Sequence, residues 1–489
     1  MDFANINEFI ANKTILVTGA TGFIAKVLVE KLLRIQPNVN KLYLLVRARD
    51  AQAADVRLQH EVLGKDLFKV LRRKWGTNFE SFVSEKITAV AGDISYENLG
   101  LTVDQMKQIY KDIDVVINVA ATIKFDERYD VALGVNTLGA KNVVNFAKNC
   151  AKIQLLIHVS TAYVCGEKAG LISESPYAMG STLNGAIDLD IDCEKKLSEH
   201  TLSDLKAKDL PDKTIRQMMK DLGNQRAKLY GWPNTYSFTK AMGEMVIGQL
   251  RGNLPVVIMR PTIVCSTIKE PFPGWVEGVR TIDSVAVTYA KGHLPSFFPV
   301  CRYSVFDLIP ADIFVNSMIV AMKAHVNQPS LTIYQVGSSY RNPVTFEELH
   351  DFHFRYFTKN PWTNRQGFPV KIGKGLVLSN ILIFEVILFM FHVVVKMMLM
   401  FVTRMGCSKF QCILYNLDKK LQIARKLVDL YKPYLFFKAI FVDTNTQRLM
   451  ETARENGLDE DVFNFDPLSI NWKDYFYNVH LPAIVKYLF

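Results

Sequence analysis

Short, continuously apolar runs rich in β-branched residues punctuate the first 340 positions. They fall at Thr14–Thr18 (TILVT), Leu42–Val46 (LYLLV), Ile87–Ala91 (ITAVA), Val115–Val119 (VVINV) and Leu155–Ser160 (LLIHVS), then at Val256–Arg260 (VVIMR) and Ile333–Val336. None alternates apolar with polar, so each strand is expected to be covered on both faces, as in a parallel sheet between helices. Phe23–Arg34 and Val131–Lys148 have the length and period of crossover helices. The pattern predicts an α/β fold, a doubly wound parallel-sheet domain. A polar insertion at about 167–234, with a charged helical stretch over Asp192–Lys228, reads as a cap. Thr345 and Glu348 have the spacing of a capping box and open a new helix. We therefore divide the chain into 1–340, with the inserted cap, and a smaller, mainly helical C-terminal domain at 345–489.

Directly after the first strand stands Thr18-Gly19-Ala20-Thr21-Gly22-Phe23-Ile24-Ala25, which runs into a helix. A strand, a glycine turn and a helix N-terminus are what a pyrophosphate needs: close backbone approach and free N–H groups at a positive dipole end. Gly19, Thr21, Gly22, Phe23 and Ile24 are the expected contacts of a Rossmann-type dinucleotide site, with Ala25 where a third glycine would pack. Arg47 and Arg49 end the second strand, where NAD would call for an acid; a guanidinium suits the 2′-phosphate of NADPH. Asp93 and Ile94 after the third strand, and Asn118, Ala120 and Ala121 at the end of the fourth, fall where adenine and ribose would lie. Asn136 is assigned to positioning the backbone beneath the cofactor.

Tyr236 and Lys240 are four residues apart, hence on one helical face. A nearby ammonium stabilises a phenolate and so makes the tyrosine a usable proton donor. Ser160 and Thr161, at the end of the fifth strand, offer a hydroxyl for the substrate oxygen. Pro261-Thr262 follows the next strand and would close over a nicotinamide.

Composition limits what this chemistry can serve. With 489 residues, 49% of them hydrophobic and 22% charged, the chain is neither disordered nor low in complexity. Seven cysteines at 150, 165, 193, 265, 301, 407 and 412 form no framework, so free thiols in a reducing compartment are expected. The formal net charge of +10 suits phosphorylated ligands or an anionic membrane. No basic run interleaved with aromatics exists, so nucleic acid is excluded as a partner. Cys407 with Cys412, and His350 with His353, are too few to bind a metal, and none is expected. The N-terminal MDFANINEFIANK resembles neither a secretory signal nor a transit peptide.

These motifs resemble the extended short-chain dehydrogenase/reductases, and within them the alcohol-forming fatty acyl-CoA reductases of the plant type. The resemblance runs from NKTILVTGATGF at Asn12–Phe23 through HVSTAYV, GWPNTYSFTKAMGE, KEPFPGWVEGVRTID at Lys269–Asp283 and DLIPADI at Asp307–Ile313. It ends in LVDLYKPYLFF and FDPLSINWKDYF, which are similar to a male-sterility-type C-terminal domain. It implies two-step reduction of a long-chain or very-long-chain acyl-CoA by NADPH to a primary alcohol, in lipid metabolism of the wax, cuticle or suberin kind. Tyr236 would give the proton, Lys240 would tune it and bind the ribose, and Thr161, with Ser160 as competitor, would hold the oxyanion. The Pro271–Trp275 loop would border the acyl entrance. Rival readings are a reductase that stops at the aldehyde, a non-catalytic NADP-binding scaffold, and a sugar-nucleotide epimerase, which Arg47 disfavours. An ATP-using carboxylic acid reductase would need an activating domain before the first strand.

Gly375–Arg404 is the most apolar stretch, yet Glu385, His392, Lys396 and Thr403 fall on one narrow helical stripe. Such a stripe fits a helix sunk in the membrane interface, one packed between an acyl tunnel and its own domain, or a core helix with paired charges; we expect peripheral membrane contact through about 376–403, with cations between 409 and 438 on head groups or CoA phosphates. The expected location is the cytosolic face of the endoplasmic reticulum, or else the cytoplasm.

Overall fold

The computed structural model of the chain describes residues 2–186, 189–294, 297–364, 366–406 and 408–489. Its elements are β1 (Thr14–Thr18), α1 (Phe23–Ile35), β2 (Lys41–Val46), β3 (Ile87–Ala91), β4 (Val115–Asn118), α2 (Gly139–Asn149), β5 (Leu155–Val159) and β6 (Gly170–Ile172). Next come α3 (Ile191–Ala207), α4 (Asp212–Leu229), α5 (Thr235–Leu250), β7 (Val256–Pro261), α6 (Thr281–Ala290), α7 (Ala311–His325), β8 (Leu331–Val336) and α8 (Phe346–Lys359). The chain closes with α9 (Ile381–Arg404), α10 (Ser408–Leu435), β9 (Ala439–Phe441), α11 (Thr444–Glu455) and α12 (Leu481–Leu488).

Seven strands form one parallel sheet in the order β8-β7-β5-β4-β1-β2-β3. The residues of β1, β4, β5 and β7 are buried throughout, which is why their apolar runs do not alternate. Every run read as a strand is one. The winding reverses between β1 and β4, and there, beyond the strands' carboxyl ends, a doubly wound sheet offers its crevice. Thr18 and Asn118 are register partners at that point.

The charged stretch read as one helix is two. Asp209, at φ 49, and Pro211 break it between α3 and α4. Buried Glu194 on α3 accepts from the Tyr129 hydroxyl at 2.5 Å, which pins the insertion to the body, and pairs with Arg226 on α4, which ties the two helices together.

α8 begins on the reciprocal Thr345–Glu348 capping box. α9 and α10 then run antiparallel. Glu385 meets Lys432 at 3.1 Å, while His392 and Lys396 meet Asp418 at 3.1 and 3.4 Å. The polar stripe of α9 therefore meets α10, Phe384, Leu388 and Val395 are buried beside it, and most of the other apolar side chains face outward. After the hairpin the chain returns to the sheet. β9 pairs in parallel with β6 of the insertion. Asn445 Nδ2 donates to Ile333 O (2.9 Å), Thr446 Oγ1 to Gln335 O (2.8 Å), and Gln335 Nε2 to Ile172 O and Val442 O (both 2.8 Å). Side chains, in place of an eighth strand, thus finish the outer edge of β8. The six described cysteines are free thiols; Cys407 lies outside the described residues.

Candidate active site

β1 leads into a turn that only glycine can make. Gly19 has φ +67, and a Cβ on it would lie 2.7 Å from the backbone N and Cα of Ala120. Gly22 N closes the turn on Gly19 O at 2.8 Å, and Gly22 is the N-cap of α1. The first-turn amides of α1 are thereby free to face a phosphate. Thr21 is half-buried in the turn, and Gly22, Phe23 and Ile24 line the cavity beside it.

Several residues expected at the cofactor also make contacts within the protein. Asn118 Oδ1 accepts from Thr18 Oγ1 at 2.6 Å and Asn118 Nδ2 meets His158 Nδ1 at 2.9 Å, so this side chain ties β1, β4 and β5 together beneath the site. Asp93 Oδ1 is taken by Ser95 N (2.9 Å) and Ser95 Oγ (2.8 Å). Ile94 is buried in the core against Gly139, where an added Cβ would come within 2.7 Å of Ile94 Cδ1. Asn136 accepts from Thr122 N at 3.0 Å and donates to Thr122 O at 3.1 Å and to Thr239 Oγ1 at 3.0 Å, clamping the loop after β4 to α5. Ala120 and Ala121 are half-buried in that loop, and Ala121 reaches the cavity. At the end of β2, Arg49 pairs with exposed Asp50 at 3.0 Å. Arg47 is exposed and its guanidinium has no ion pair among the described residues.

α5 places the reacting groups. Asn234 caps it, its Oδ1 accepting from Ser237 N at 2.9 Å. Lys240 Nζ, buried, donates to Val159 O at 2.7 Å, and burial lowers its pKa to about 8 against the raising effect of Glu244. Glu244 itself is held by Arg260 at 2.6 Å, a buried pair behind the helix. The Tyr236 phenol is pushed up to about 12 by burial, and a hydrogen bond with the Thr161 hydroxyl pulls it back. The Lys240 ammonium is turned to the Val159 carbonyl with one of its three hydrogens. Thr161 Oγ1 also accepts from Tyr163 N at 3.3 Å. Ser160 Oγ is buried without a partner among the described residues.

One cavity of about 760 Å³ joins these groups. Its floor runs from the glycine turn past Ser160, Thr161, Tyr236 and Lys240 to Pro261 and Thr262. Beyond them it continues as an apolar channel between α6 and α8, walled by Phe297, Phe298, Phe306, Phe346 and Val377. Val276–Asp283, not the Pro271–Trp275 loop, lies on its wall; that loop is tied back, Asp312 accepting from the amides of Ile268, Lys269 and Glu270 at 2.8–2.9 Å. His350 and His353 line the channel, with His353 Nδ1 on Leu349 O, and no metal-binding group of three exists among the described residues.

The sequence reading missed an aromatic cage around Tyr236. Phe125 lies 5.8 Å from the Tyr236 ring, 5.2 Å from Tyr434 and 6.1 Å from Tyr431. The two tyrosines come from the end of α10, where Pro433 sits between them. Their spacing in LYKPYL was the available signal, but only packing shows that they reach α5.

A glycine turn at the switch point of a parallel sheet, with a Ser/Thr, Tyr and Lys set on one cavity, defines an oxidoreductase of the short-chain dehydrogenase/reductase type. Two family profiles, both described as male sterility protein, match residues 17–318 and 391–489. The chain belongs to that family. It is 51% identical to an alcohol-forming fatty acyl-CoA reductase of Simmondsia chinensis, over 100% of this chain and 99% of that one. It is 50% identical to fatty acyl-CoA reductase 1 of Arabidopsis thaliana, over 99% of each. Among solved structures, the terminal R domain of the myxalamid PKS-NRPS pathway superposes with a TM-score of 0.59 at 17% identity, covering 97% of this chain and 91% of that one. The reductase domain of a nonribosomal peptide synthetase from Mycobacterium tuberculosis does so at 0.55 and 17%, covering 99% and 94%. Both share the fold.

Proposed function

We propose that this protein is an NADPH-dependent reductase that converts a long-chain acyl-CoA to the primary alcohol in two steps and releases CoA. The observation that carries the reading is the single cavity that runs from the dinucleotide turn past the Tyr236 set into an apolar channel. Near-complete alignment with alcohol-forming reductases supports it. The Gly19 cradle fits a dinucleotide, and the unpaired Arg47 favours the phosphorylated form. When bound, that cofactor supplies hydride to the carbonyl carbon.

The chain's own residues do the rest. Thr161 and Tyr236 bind the carbonyl oxygen, and Tyr236 donates the proton as negative charge develops there. Collapse of the resulting hemithioacetal returns its hydroxyl proton to the Tyr236 phenolate, breaks the C–S bond and expels CoA thiolate. The aldehyde stays in the cavity, and a second passage over the same residues gives the alcohol. Lys240 holds positive charge beneath the site, and the clamp of Asn136 on Thr122 and Thr239 keeps α5 in register with the loop after β4.

Purified protein given palmitoyl-CoA and NADPH should oxidise two NADPH per CoA released and yield alcohol. One NADPH per CoA with free aldehyde throughout would favour the aldehyde-forming alternative, and no oxidation would favour the scaffold.

The reading extends to location. α9 is 24 residues long, with a mean hydropathy of 2.3, and only 17% of its most apolar window is buried. Its length and composition are those of a helix able to cross a membrane, but its charges face α10. We therefore propose that its outer face lies in the cytosolic leaflet of the endoplasmic reticulum, α10 offering Lys419, Lys420, Arg425 and Lys426 to head groups. Recovery of the whole protein in the soluble fraction of disrupted cells would overturn this.

A further inference from the structure

Hydride addition leaves an oxyanion with more lone pairs than the Tyr236–Thr161 pair can serve. These two hydroxyls carry one hydrogen each, so together they serve at most two of its three lone pairs.

Tyr434 lines the same cavity, packs at 5.2 Å on Phe125, whose ring also lies 5.8 Å from that of Tyr236, and sits edge-on at 5.2 Å to Tyr163. Asn234 Nδ2 donates to its oxygen at 2.9 Å. Asn234 is fixed in turn, because its Oδ1 caps α5 and also accepts from Ser237 Oγ at 3.0 Å. The Tyr434 oxygen is therefore an acceptor for Asn234, and its own hydrogen has no acceptor among the described residues. The cavity is where that hydrogen can be used. Burial holds the Tyr434 proton well above the ordinary phenol range, so the group gives a hydrogen bond and keeps its proton.

We infer that Tyr434, carried into the site by the C-terminal helix α10, is a second phenolic donor to the reacting carbonyl oxygen and retains the aldehyde between the two reductions. The inference rests on the proposed two-step reading. Its effect falls mainly on the second step, because the aldehyde has lost its CoA anchor once the C–S bond is broken, while the thioester has not.

The test is Tyr434→Phe, which keeps the ring against Phe125 and Tyr163 and removes one hydroxyl. Wild-type protein is assayed first; if it makes no alcohol, the two-step reading itself fails. With alcohol formed by wild type, the variant is expected to turn over about 10-fold or more slowly. NADPH oxidised per CoA should drop from two toward one, with free aldehyde appearing. Melting temperature and NADPH affinity should not change. Unchanged stoichiometry and rate would overturn the inference. So would aldehyde release that accompanies weakened NADPH binding and a lowered melting temperature, since that marks loosening of α10. A protein with 3-fluorotyrosine at 434 keeps the acceptor for Asn234 and strengthens the donor. It should turn over added aldehyde at least as fast as wild type, and if Tyr434→Phe does not fold, a loss of that activity decides against Tyr434.

Discussion

α7 and α9 are both strongly apolar helices, and they end in opposite surroundings. α7 carries Asp312 in its first turn and Lys323 and His325 in its last, and between them nearly every side chain is buried between the sheet, α1 and α11. α9 is longer and more apolar, yet Phe389, Met390, Met397, Met400 and Phe401 are each 60% exposed or more. The difference lies in where the charges point. On α7 they stand at the ends, leaving the barrel free to be enclosed; on α9 Glu385, His392 and Lys396 sit mid-helix and are satisfied by α10, so the hairpin is self-sufficient on its inner side. An exposed apolar area this large calls for a non-aqueous neighbour. Hydropathy alone cannot tell the two helices apart, whereas the angular position of a few charges can.

That contrast separates stability, which belongs to the buried half, from the membrane contact proposed for the outer face of α9. The largest expected effect is on chemistry: Tyr236→Phe should lower turnover by about 10²–10⁴-fold while NADPH binding, followed by fluorescence, is retained. Turnover above a few tenths of wild type would remove Tyr236 from the mechanism. Next, Phe314→Ala on α7 should cost about 3–5 kcal/mol in denaturant unfolding, since Phe314 is fully buried. A milder shift appears with pH. Burial depresses the Lys240 pKa to about 8, so the ammonium is present below that pH and lost above it. Turnover should fall as pH rises through about 8, and Lys240→Arg, if active, should move the limb upward. The same depression means that folded protein gains stability from pH 8 toward the unfolded lysine value of about 10.4, where the charged form is no longer forced into the interior. The smallest effect is on α9: Phe401→Ser should change unfolding free energy by no more than about 0.5 kcal/mol. With Phe389→Ser and Met397→Ser added, sedimentation with anionic vesicles should fall while activity on a short, soluble acyl-CoA persists. A large loss of stability in that triple variant would break the comparison, because it would mean that the outer face is packed.

Much of this was readable before the structure. β1, β3 and the Thr345 capping box match their expected limits, because burial on both sheet faces and cap chemistry are local signals. Gly19 and the Tyr236–Lys240 spacing were likewise legible. Asn118, Asp93 and Ile94 were placed by strand position alone, which carries no information on the protein contacts their side chains make. The Lys240 carbonyl bond and the Tyr434 cage are contacts across more than 80 residues of chain. No periodicity reports such contacts. The break between α3 and α4 has a local signal in Pro211, which stands inside the charged stretch.

The finishing of β8 by Asn445, Thr446 and Gln335 bears on how the chain is made. Until synthesis reaches that far, β8 has a neighbour on one side only, and a bare strand at the rim of a sheet is a template for another chain. A growing polypeptide is therefore expected to need shielding over this interval, and a chain stopped near residue 345 should clump even though its nucleotide-binding half is whole.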